Sequence, residues 1–172
     1  MGRLKAVLFD LGDTLIAEID GPADIDSTDF EVLDGAEETL RELKRWFKIA
    51  IVSNTLNWGD KEVASALGRK NLTAYFDAII TSVGAGSRKP DPGIYRKALG
   101  MMGCEPDEAV MVGDRVDTDI AGANRVGITS VLCRWNERYP VTATDEGDLP
   151  DYIIGSIREL PNLIVWIDKT LD

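Results

Sequence analysis

Three polar residues stand where short apolar segments of the chain end: Asp10, Ser53 and Asp114. A carboxylate that closes a buried strand is costly unless a charged or polar group meets it. Asp10 taken by itself could simply cap a turn. Asp114 is harder to explain in that way, because it closes an apolar segment with a carboxylate a second time. These positions are therefore candidates for nucleophilic or metal-binding chemistry.

The residue types that are missing narrow this chemistry further. The 172 residues include no histidine, which excludes a Ser-His-Asp triad, a Cys-His dyad and histidine zinc sites. Cys104 and Cys133 are too few for a disulfide framework or a four-thiolate zinc site, and we expect two reduced core residues. Catalysis must therefore use carboxylates, hydroxyl groups, Lys or Arg, the backbone or a metal ion.

The charge of the chain bears on its partners. The net charge is -11, from 30 acidic and 19 basic residues. Such a surface repels phosphate backbones, so we expect neither nucleic acid nor an anionic membrane as a partner, whereas a divalent cation is compatible with it. No apolar run approaches the ~20 residues of a membrane span, and no signal peptide is visible, so we expect a cytoplasmic location.

The elements that must position the three residues alternate along the chain. Apolar segments without internal alternation are typical of strands covered on both faces, as in parallel sheets. Six segments have this character: Ala6–Phe9, Ile49–Val52, Ala78–Ile80, Ala109–Val112, Ser130–Leu132 and Tyr152–Ile154. Helical periodicity lies between them, at Ala36–Trp46, Asp60–Leu67, Pro92–Met102 and Thr118–Val126. The alternation predicts a doubly wound α/β fold, in which ligands bind at the carboxyl ends of the strands.

Four motifs in this order resemble the haloacid dehalogenase superfamily. They are Asp10-Leu11-Gly12-Asp13-Thr14-Leu15, Ser53-Asn54, Arg88-Lys89-Pro90 and Gly113-Asp114 followed by Asp119. The resemblance implies a Rossmann-like three-layer sandwich with a central parallel sheet, in which strand 1 lies beside strand 4. We expect residues 1–172 to form one domain of this type.

The same resemblance implies a two-step phosphoryl transfer that uses Mg²⁺. Asp10 matches the nucleophile that forms an aspartyl-phosphate. Ser53 matches the hydroxyl that binds the phosphoryl oxygens, and Lys89 matches the cation that neutralises nucleophile and phosphoryl group. The implied metal site is made of oxygen ligands, which Mg²⁺ prefers: Asp10, Asp114, the carbonyl of Gly12, and Asp119, which binds through water or orients Lys89.

The chain departs from the family pattern at one position. Phosphatases of the family usually carry an aspartate two residues after the nucleophile, as general acid and base, and here Gly12 stands there. Asp13 follows, but alternation along an extended segment would point it away from Asp10, so a turn cap is the favoured interpretation. Two functions stay open: a Mg²⁺-dependent phosphatase, or a binding or regulatory module with little turnover.

The spacing between the motifs leaves no room for a full cap domain. Residues 16–34 could form a short flap beside the site, and they contain seven acids and no base. The lack of a helical cap disfavours the dehalogenase branch of the family. An open site favours a phosphorylated macromolecule, a small phosphorylated substrate, or a homo-oligomer in which a second copy covers the site.

Two smaller expectations concern aromatic residues and one loop. We expect Trp46 and Trp166 to pack against the core or its rim. Trp58 and Trp135 also pack by default, and the alternative is an aromatic wall at the site mouth. The acidic segment Thr142–Pro150 is expected to be a solvated loop.

Overall fold

Every strand of the central sheet runs parallel to its neighbours. The computed structural model describes residues 3–19, 27–141 and 145–170. The strands lie in the order β3-β2-β1-β4-β5-β6, so β1 is paired with both β2 and β4. Their bounds are β1 Ala6–Phe9, β2 Lys48–Ser53, β3 Ala78–Thr81, β4 Ala109–Gly113, β5 Thr129–Cys133 and β6 Tyr152–Ile154. The chain reverses its direction of travel across the sheet at β1, between β2 and β4, as in doubly wound folds.

Helices cover both faces of this sheet, which confirms the three-layer α/β prediction. Along β1, Val7 and Phe9 pack in one apolar cluster, while Ala6 and Leu8 pack in another. Both clusters exclude water, and this explains why the strands read as unbroken apolar segments. The helices are α1 Ala36–Leu43, α2 Asp60–Gly68, α3 Ser82–Ala85, α4 Pro92–Met102, α5 Ala121–Val126 and α6 Leu160–Thr170.

Two helices differ from the sequence prediction. Helix α1 ends at Leu43, before the predicted end at Trp46, and the side chain of Trp46 is 73% exposed. The prediction that Trp46 packs on the core is therefore wrong. The segment predicted as one helix over Thr118–Val126 consists of a π-helical turn, Val116–Ile120, followed by α5.

The two longest helices in the described part of the chain have 11 residues each, which is too short to span a bilayer. In the predicted loop Thr142–Pro150, residues 142–144 lie outside the described residues, and Glu146–Asp148 forms a single 3-10 turn.

Candidate functional site

The carboxyl edge of the sheet brings three of the predicted residues together. Asp10 follows β1, Ser53 ends β2, and Asp114 follows β4. The Asp10 N–H donates to the Val112 carbonyl at 2.9 Å, so the β1–β4 pairing continues to this residue. Asp10 and Ser53 are both buried. Because β1 pairs with β2 and β4, the parallel register alone places these strand ends side by side.

Lys89 lies at the centre of this arrangement. Its ammonium group donates to Asp10 Oδ1 at 2.6 Å, to Asp119 Oδ1 at 2.6 Å and to the Val52 carbonyl at 2.7 Å. The side chain is buried. Burial by itself would lower the pKa of Lys89, but the charges of Asp10 and Asp119 more than offset it, so the pKa is raised. Lys89 is thus held as a cation between two carboxylates.

The backbone of Lys89 is fixed by Asn54. The Asn54 side chain donates to the Lys89 carbonyl at 2.9 Å and accepts the Lys89 N–H at 2.8 Å. Directly after this loop, Asp91 caps α4 by accepting the Gly93 N–H at 2.7 Å. Asn54, which follows β2, therefore holds the backbone of Lys89 in place.

The π-helical turn after β4 delivers Asp119. Both the Asp119 and the Ile120 N–H donate to the Arg115 carbonyl, at 2.9 and 3.2 Å. Asp119 is fully buried, and its Oδ2 accepts the Arg115 N–H at 3.1 Å. A Cβ on Gly113 would overlap the Asp119 carboxylate, so a glycine at this position makes the close approach possible. π-helical turns are frequent at functional sites, and this one carries a predicted site residue.

Asp114 supplies the feature that points to a cation. Both of its carboxylate oxygens are buried, and neither accepts a hydrogen bond from any residue that the structure describes. Oxygen atoms of Asp10, Asp114 and Asp119 lie within 4.8 Å of one another. Burial, with the nearby charges of Asp10 and Asp119, raises the pKa of Asp114 to about 9, and burial and the Asp10 charge raise the pKa of Asp119 to about 6. Oxygen donors that repel one another suit a hard divalent cation.

The cluster opens into a cavity of about 380 Å³. Besides Asp10, Ser53 and Lys89, the wall includes two further cations, Arg88 and Arg115. These positive groups oppose the acidic character of the chain as a whole and suit an anionic ligand. Trp58 lines this cavity, as one interpretation of the sequence proposed, whereas the Trp135 indole donates to the Asp13 carbonyl at 2.6 Å.

Asp13 is turned to the neighbouring loop. Its Oδ1 accepts the Glu18 N–H at 3.0 Å, and its Oδ2 lies 3.6 Å from the Arg138 guanidinium. The backbone of Asp13 is left-handed, with φ of 50°, which aspartate tolerates better than most residues do. These contacts agree with the favoured interpretation of Asp13 as a turn residue.

The flap predicted over residues 16–34 is described only in part. Ile16 forms an antiparallel bridge to Val32, and the Ala17 N–H donates to the Glu31 carbonyl at 2.9 Å. Residues 20–26 lie outside the described residues. The two ends of this segment are therefore paired beside the cavity.

Several cavity residues were given no role in the sequence analysis. Asn54 and Arg88 belong to the motifs Ser53-Asn54 and Arg88-Lys89-Pro90, but only Ser53 and Lys89 of these motifs were assigned a function. Glu18 and Tyr139 also line the cavity, but they come from a loop and from the segment after β5, where no periodicity marks them. Their placement depends on tertiary structure.

Comparison with known proteins bears on the family. A family model described as haloacid dehalogenase-like hydrolase matches residues 23–127. This range contains Ser53, Lys89, Asp114 and Asp119. The chain belongs to this family. Asp10 precedes the matched range, but its hydrogen bond to Lys89 ties it to the matched residues.

Individual relatives give the same assignment. The chain is 35% identical over 132 residues to a protein named glyceraldehyde 3-phosphate phosphatase from Methanopyrus kandleri, which covers 76% of this chain and 55% of that protein. It is 41% identical over 104 residues to haloacid dehalogenase-like hydrolase domain-containing protein 3 from Homo sapiens, over 60% of this chain and 40% of that protein. The chain thus spans about half the length of these relatives.

A solved structure matches over almost the full length of both chains. An uncharacterized protein from Listeria monocytogenes serotype 4b has a TM-score of 0.80 and 29% identity, covering 96% of this chain and 99% of that one. The agreement supports the strand order and layer arrangement described above.

Proposed function

We propose that this protein is a Mg²⁺-dependent phosphatase that works through an aspartyl-phosphate on Asp10. One observation carries the proposal: the Lys89 ammonium bonds both Asp10 and Asp119 in a cavity wall, next to Asp114, whose buried oxygens accept no hydrogen bond from the described residues. A named phosphatase among the relatives supports the same reaction class.

The roles of the residues follow from their contacts. The Asp10 carboxylate attacks phosphorus, the bond to the leaving-group oxygen breaks, and water later hydrolyses the aspartyl-phosphate to inorganic phosphate. Lys89 neutralises Asp10 before the dianionic substrate approaches, and it offsets charge on the phosphoryl group afterwards. Ser53 lines the cavity and would donate its hydroxyl hydrogen to a phosphoryl oxygen.

The proposed metal site consists of three carboxylates and one backbone carbonyl: Asp10, Asp114, Asp119 and Gly12. Their fit to a divalent cation rests on the unpartnered Asp114 oxygens and on the spacing of the carboxylates. When bound, Mg²⁺ supplies positive charge that offsets the repulsion between Asp10 and the phosphoryl group.

The substrate class that we propose is a small phosphate monoester. The cavity of about 380 Å³ is at the lower end of the range for small-molecule sites. Arg88 and Arg115 on its wall suit a phosphate group or a second anionic group of the substrate.

Hydrolysis of p-nitrophenyl phosphate, with Mg²⁺ and with EDTA, tests the proposal. Its phenolate is a good leaving group, so turnover does not depend on a proton donor. We expect Mg²⁺-dependent turnover in the wild type and a loss of at least about 10³-fold in Asp10→Asn, because an amide is a poor nucleophile. Asp107→Asn is the matched control, since this exposed residue precedes β4, at the opposite edge of the sheet.

Two outcomes contradict the proposal. Retention of more than a tenth of the wild-type rate by folded Asp10→Asn excludes Asp10 as the nucleophile. A wild-type protein that is stabilised by Mg²⁺ and inorganic phosphate but shows no turnover is instead a binding or regulatory module, the second function that Gly12 favours.

A further inference from the structure

The space beside Gly12 is occupied by another carboxylate. A Cβ added to Gly12 would lie 2.8 Å from Glu18 Cδ and closer still to Glu18 Oε2. Gly12 and Glu18 both line the cavity that contains Asp10 and Lys89. The loop that follows β1 therefore returns over its own beginning and presents a carboxylate where residue 12 has no side chain.

The reaction proposed above calls for a group of this kind. A phosphate monoester of an alcohol releases a strongly basic alkoxide unless the departing oxygen is protonated as its bond to phosphorus breaks. Among the described residues that line the cavity, the carboxylates are Asp10 and Glu18. Asp10 is the proposed nucleophile, so Glu18 is the second carboxyl group in the lining of the cavity.

Backbone contacts hold Glu18 at this place. Its N–H donates to Asp13 Oδ1 at 3.0 Å, and the preceding residue, Ala17, is hydrogen-bonded to the Glu31 carbonyl. Burial and then the Glu18 charge raise the pKa of Tyr139, which also lines the cavity. Glu18 thus lies close enough to Tyr139 for its charge to act on the phenol.

We infer that Glu18 is the general acid and general base of this phosphatase, an inference that rests on the proposed function. In the first step Asp10 attacks phosphorus, the P–O bond to the leaving group breaks, and the Glu18 carboxyl proton passes to the leaving oxygen, which departs as an alcohol. In the second step the Glu18 carboxylate takes a proton from water, whose oxygen attacks phosphorus. The bond to Asp10 then breaks, inorganic phosphate is released, and both carboxyl groups return to their starting states.

Glu18→Gln tests the first step through the leaving group. For an alkyl phosphate such as glycerol 3-phosphate, we expect kcat/KM to fall by about 10²-fold or more, which is the usual contribution of a general acid. For p-nitrophenyl phosphate we expect a fall of only a few-fold, because the phenolate leaves without protonation. The readout is the ratio of the two kcat/KM values, since this parameter reports the phosphorylation step.

The same variant tests the second step. Without its general base, Glu18→Gln accumulates aspartyl-phosphate, so p-nitrophenyl phosphate should give a burst of p-nitrophenolate equal to the enzyme concentration, followed by slow turnover. A purely structural role of Glu18 would lower both kcat/KM values equally and produce no burst, and that result would overturn the assignment.

Two matched variants identify the proton donor. Glu31→Gln makes the same change of charge on an exposed residue of the paired segment outside this cavity, and we expect it to keep the wild-type ratio. Tyr139→Phe removes the phenol hydroxyl of the cavity lining, which is a second candidate proton donor. A selective loss of the alkyl substrate in Tyr139→Phe, with Glu18→Gln unaffected, transfers the role to Tyr139 and overturns the inference.

A rescue variant, in which a carboxyl group is restored at residue 12, tests the role of Glu18 by a gain of activity. Gly12 has no left-handed backbone, so a side chain is allowed there once Glu18 is shortened. We expect Glu18→Ala to lose most of its kcat/KM for the alkyl phosphate. The double variant Gly12→Asp/Glu18→Ala should have a kcat/KM for this substrate at least tenfold higher than that of Glu18→Ala. An active wild type whose ratio is unchanged in Glu18→Gln contradicts only the role of Glu18, whereas a wild type inactive on both substrates contradicts the phosphatase proposal itself.

Discussion

At the scale of single residues, the site contains more carboxylates than cations. Lys89 is shared between Asp10 and Asp119, so one cation serves two carboxylates. Asp114 is close to both carboxylates and accepts no hydrogen bond from the described residues. Burial, together with the charges of these two carboxylates, therefore raises the pKa of Asp114 from the ordinary 3.8 to about 9. Without a bound cation, ionisation of Asp114 destabilises the folded protein.

This balance predicts a pH dependence of stability. Above pH 3.8 the unfolded chain releases the Asp114 proton, whereas the folded chain keeps it up to a pKa of about 9. In EDTA, the free energy of unfolding should therefore fall as pH rises, with a slope of up to about 1.4 kcal/mol per pH unit. The useful window is pH 6.5–8, roughly, because it lies above the pKa of about 6 of Asp119 and the chain contains no histidine.

Urea denaturation of Asp114→Asn across this window measures the effect. The amide cannot ionise, so we expect a nearly flat profile and a variant more stable than the wild type at pH 8. Asp107→Asn, as an exposed control, should keep the wild-type slope. Parallel profiles of the wild type and Asp114→Asn would contradict the assignment of the slope to this carboxyl.

At the scale of elements, loops set the geometry that the strands make possible. The strand ends deliver Asp10, Ser53 and Asp114 without further adjustment. In contrast, Asp119 depends on a π-helical turn, and Glu18 depends on the turn after β1. Within this turn the Leu15 and Ile16 N–H groups donate to the Leu11 carbonyl, at 2.9 and 3.2 Å, and the chain then returns towards Gly12.

Asp13 is the residue of this turn that a mutation can test. Asparagine keeps an acceptor oxygen for the Glu18 N–H and tolerates the left-handed backbone, whereas alanine does neither. We expect Asp13→Ala to lose about 1–2 kcal/mol of unfolding free energy. Its ratio of kcat/KM for the alkyl phosphate to kcat/KM for the aryl phosphate should shift towards that of Glu18→Gln. We expect Asp13→Asn to stay close to the wild type in both properties.

Denaturant unfolding and the two kcat/KM values of both Asp13 variants provide the measurement. If Asp13→Asn loses the alkyl substrate as completely as Asp13→Ala, ionisation of Asp13 itself is needed. In that case Asp13, and not Glu18, transfers the proton.

At the scale of the whole molecule, a strongly acidic chain concentrates positive side chains around one cavity. The net charge is -11, yet Arg88, Lys89 and Arg115 all line the site. The acidic background favours cations near the surface, and the local cations favour a phosphate group. Both ligands of the proposed reaction are thereby attracted to the same edge of the sheet.

This arrangement predicts stabilisation by Mg²⁺. An ion that binds only the native state at a hundredfold excess over its Kd adds about 2.7 kcal/mol, which corresponds to a rise in Tm of roughly 5–10 °C for a domain of this size. We expect this rise in the wild type at millimolar Mg²⁺ and none in Asp114→Ala. NaCl at equal ionic strength controls for screening, and an unchanged wild-type Tm in Mg²⁺ would exclude the metal site.

The sequence by itself determined the α/β fold and the strand ends that form the site. Strands buried on both faces leave unbroken apolar segments, and parallel strands bring their carboxyl ends to one edge, so the sequence places Asp10, Ser53 and Asp114 together. The roles of these residues in catalysis and metal binding stay predictions. Helix α1 was predicted too long, because helical periodicity does not fix where a helix ends.

Only the tertiary structure decided the contacts made between loops. Lys89 meets Asp10 across 79 residues and Asp119 across 30. The family resemblance implied both contacts, but no local pattern in the chain encodes them. The position of Glu18 beside Gly12 depends on the left-handed backbone of Asp13 and on the pairing of Ile16 with Val32. Hydrophobic periodicity in the sequence indicates which face of a strand or helix is buried. The path of a loop, and hence which carboxylate reaches the reacting atoms, is set by contacts that form once the sheet has assembled.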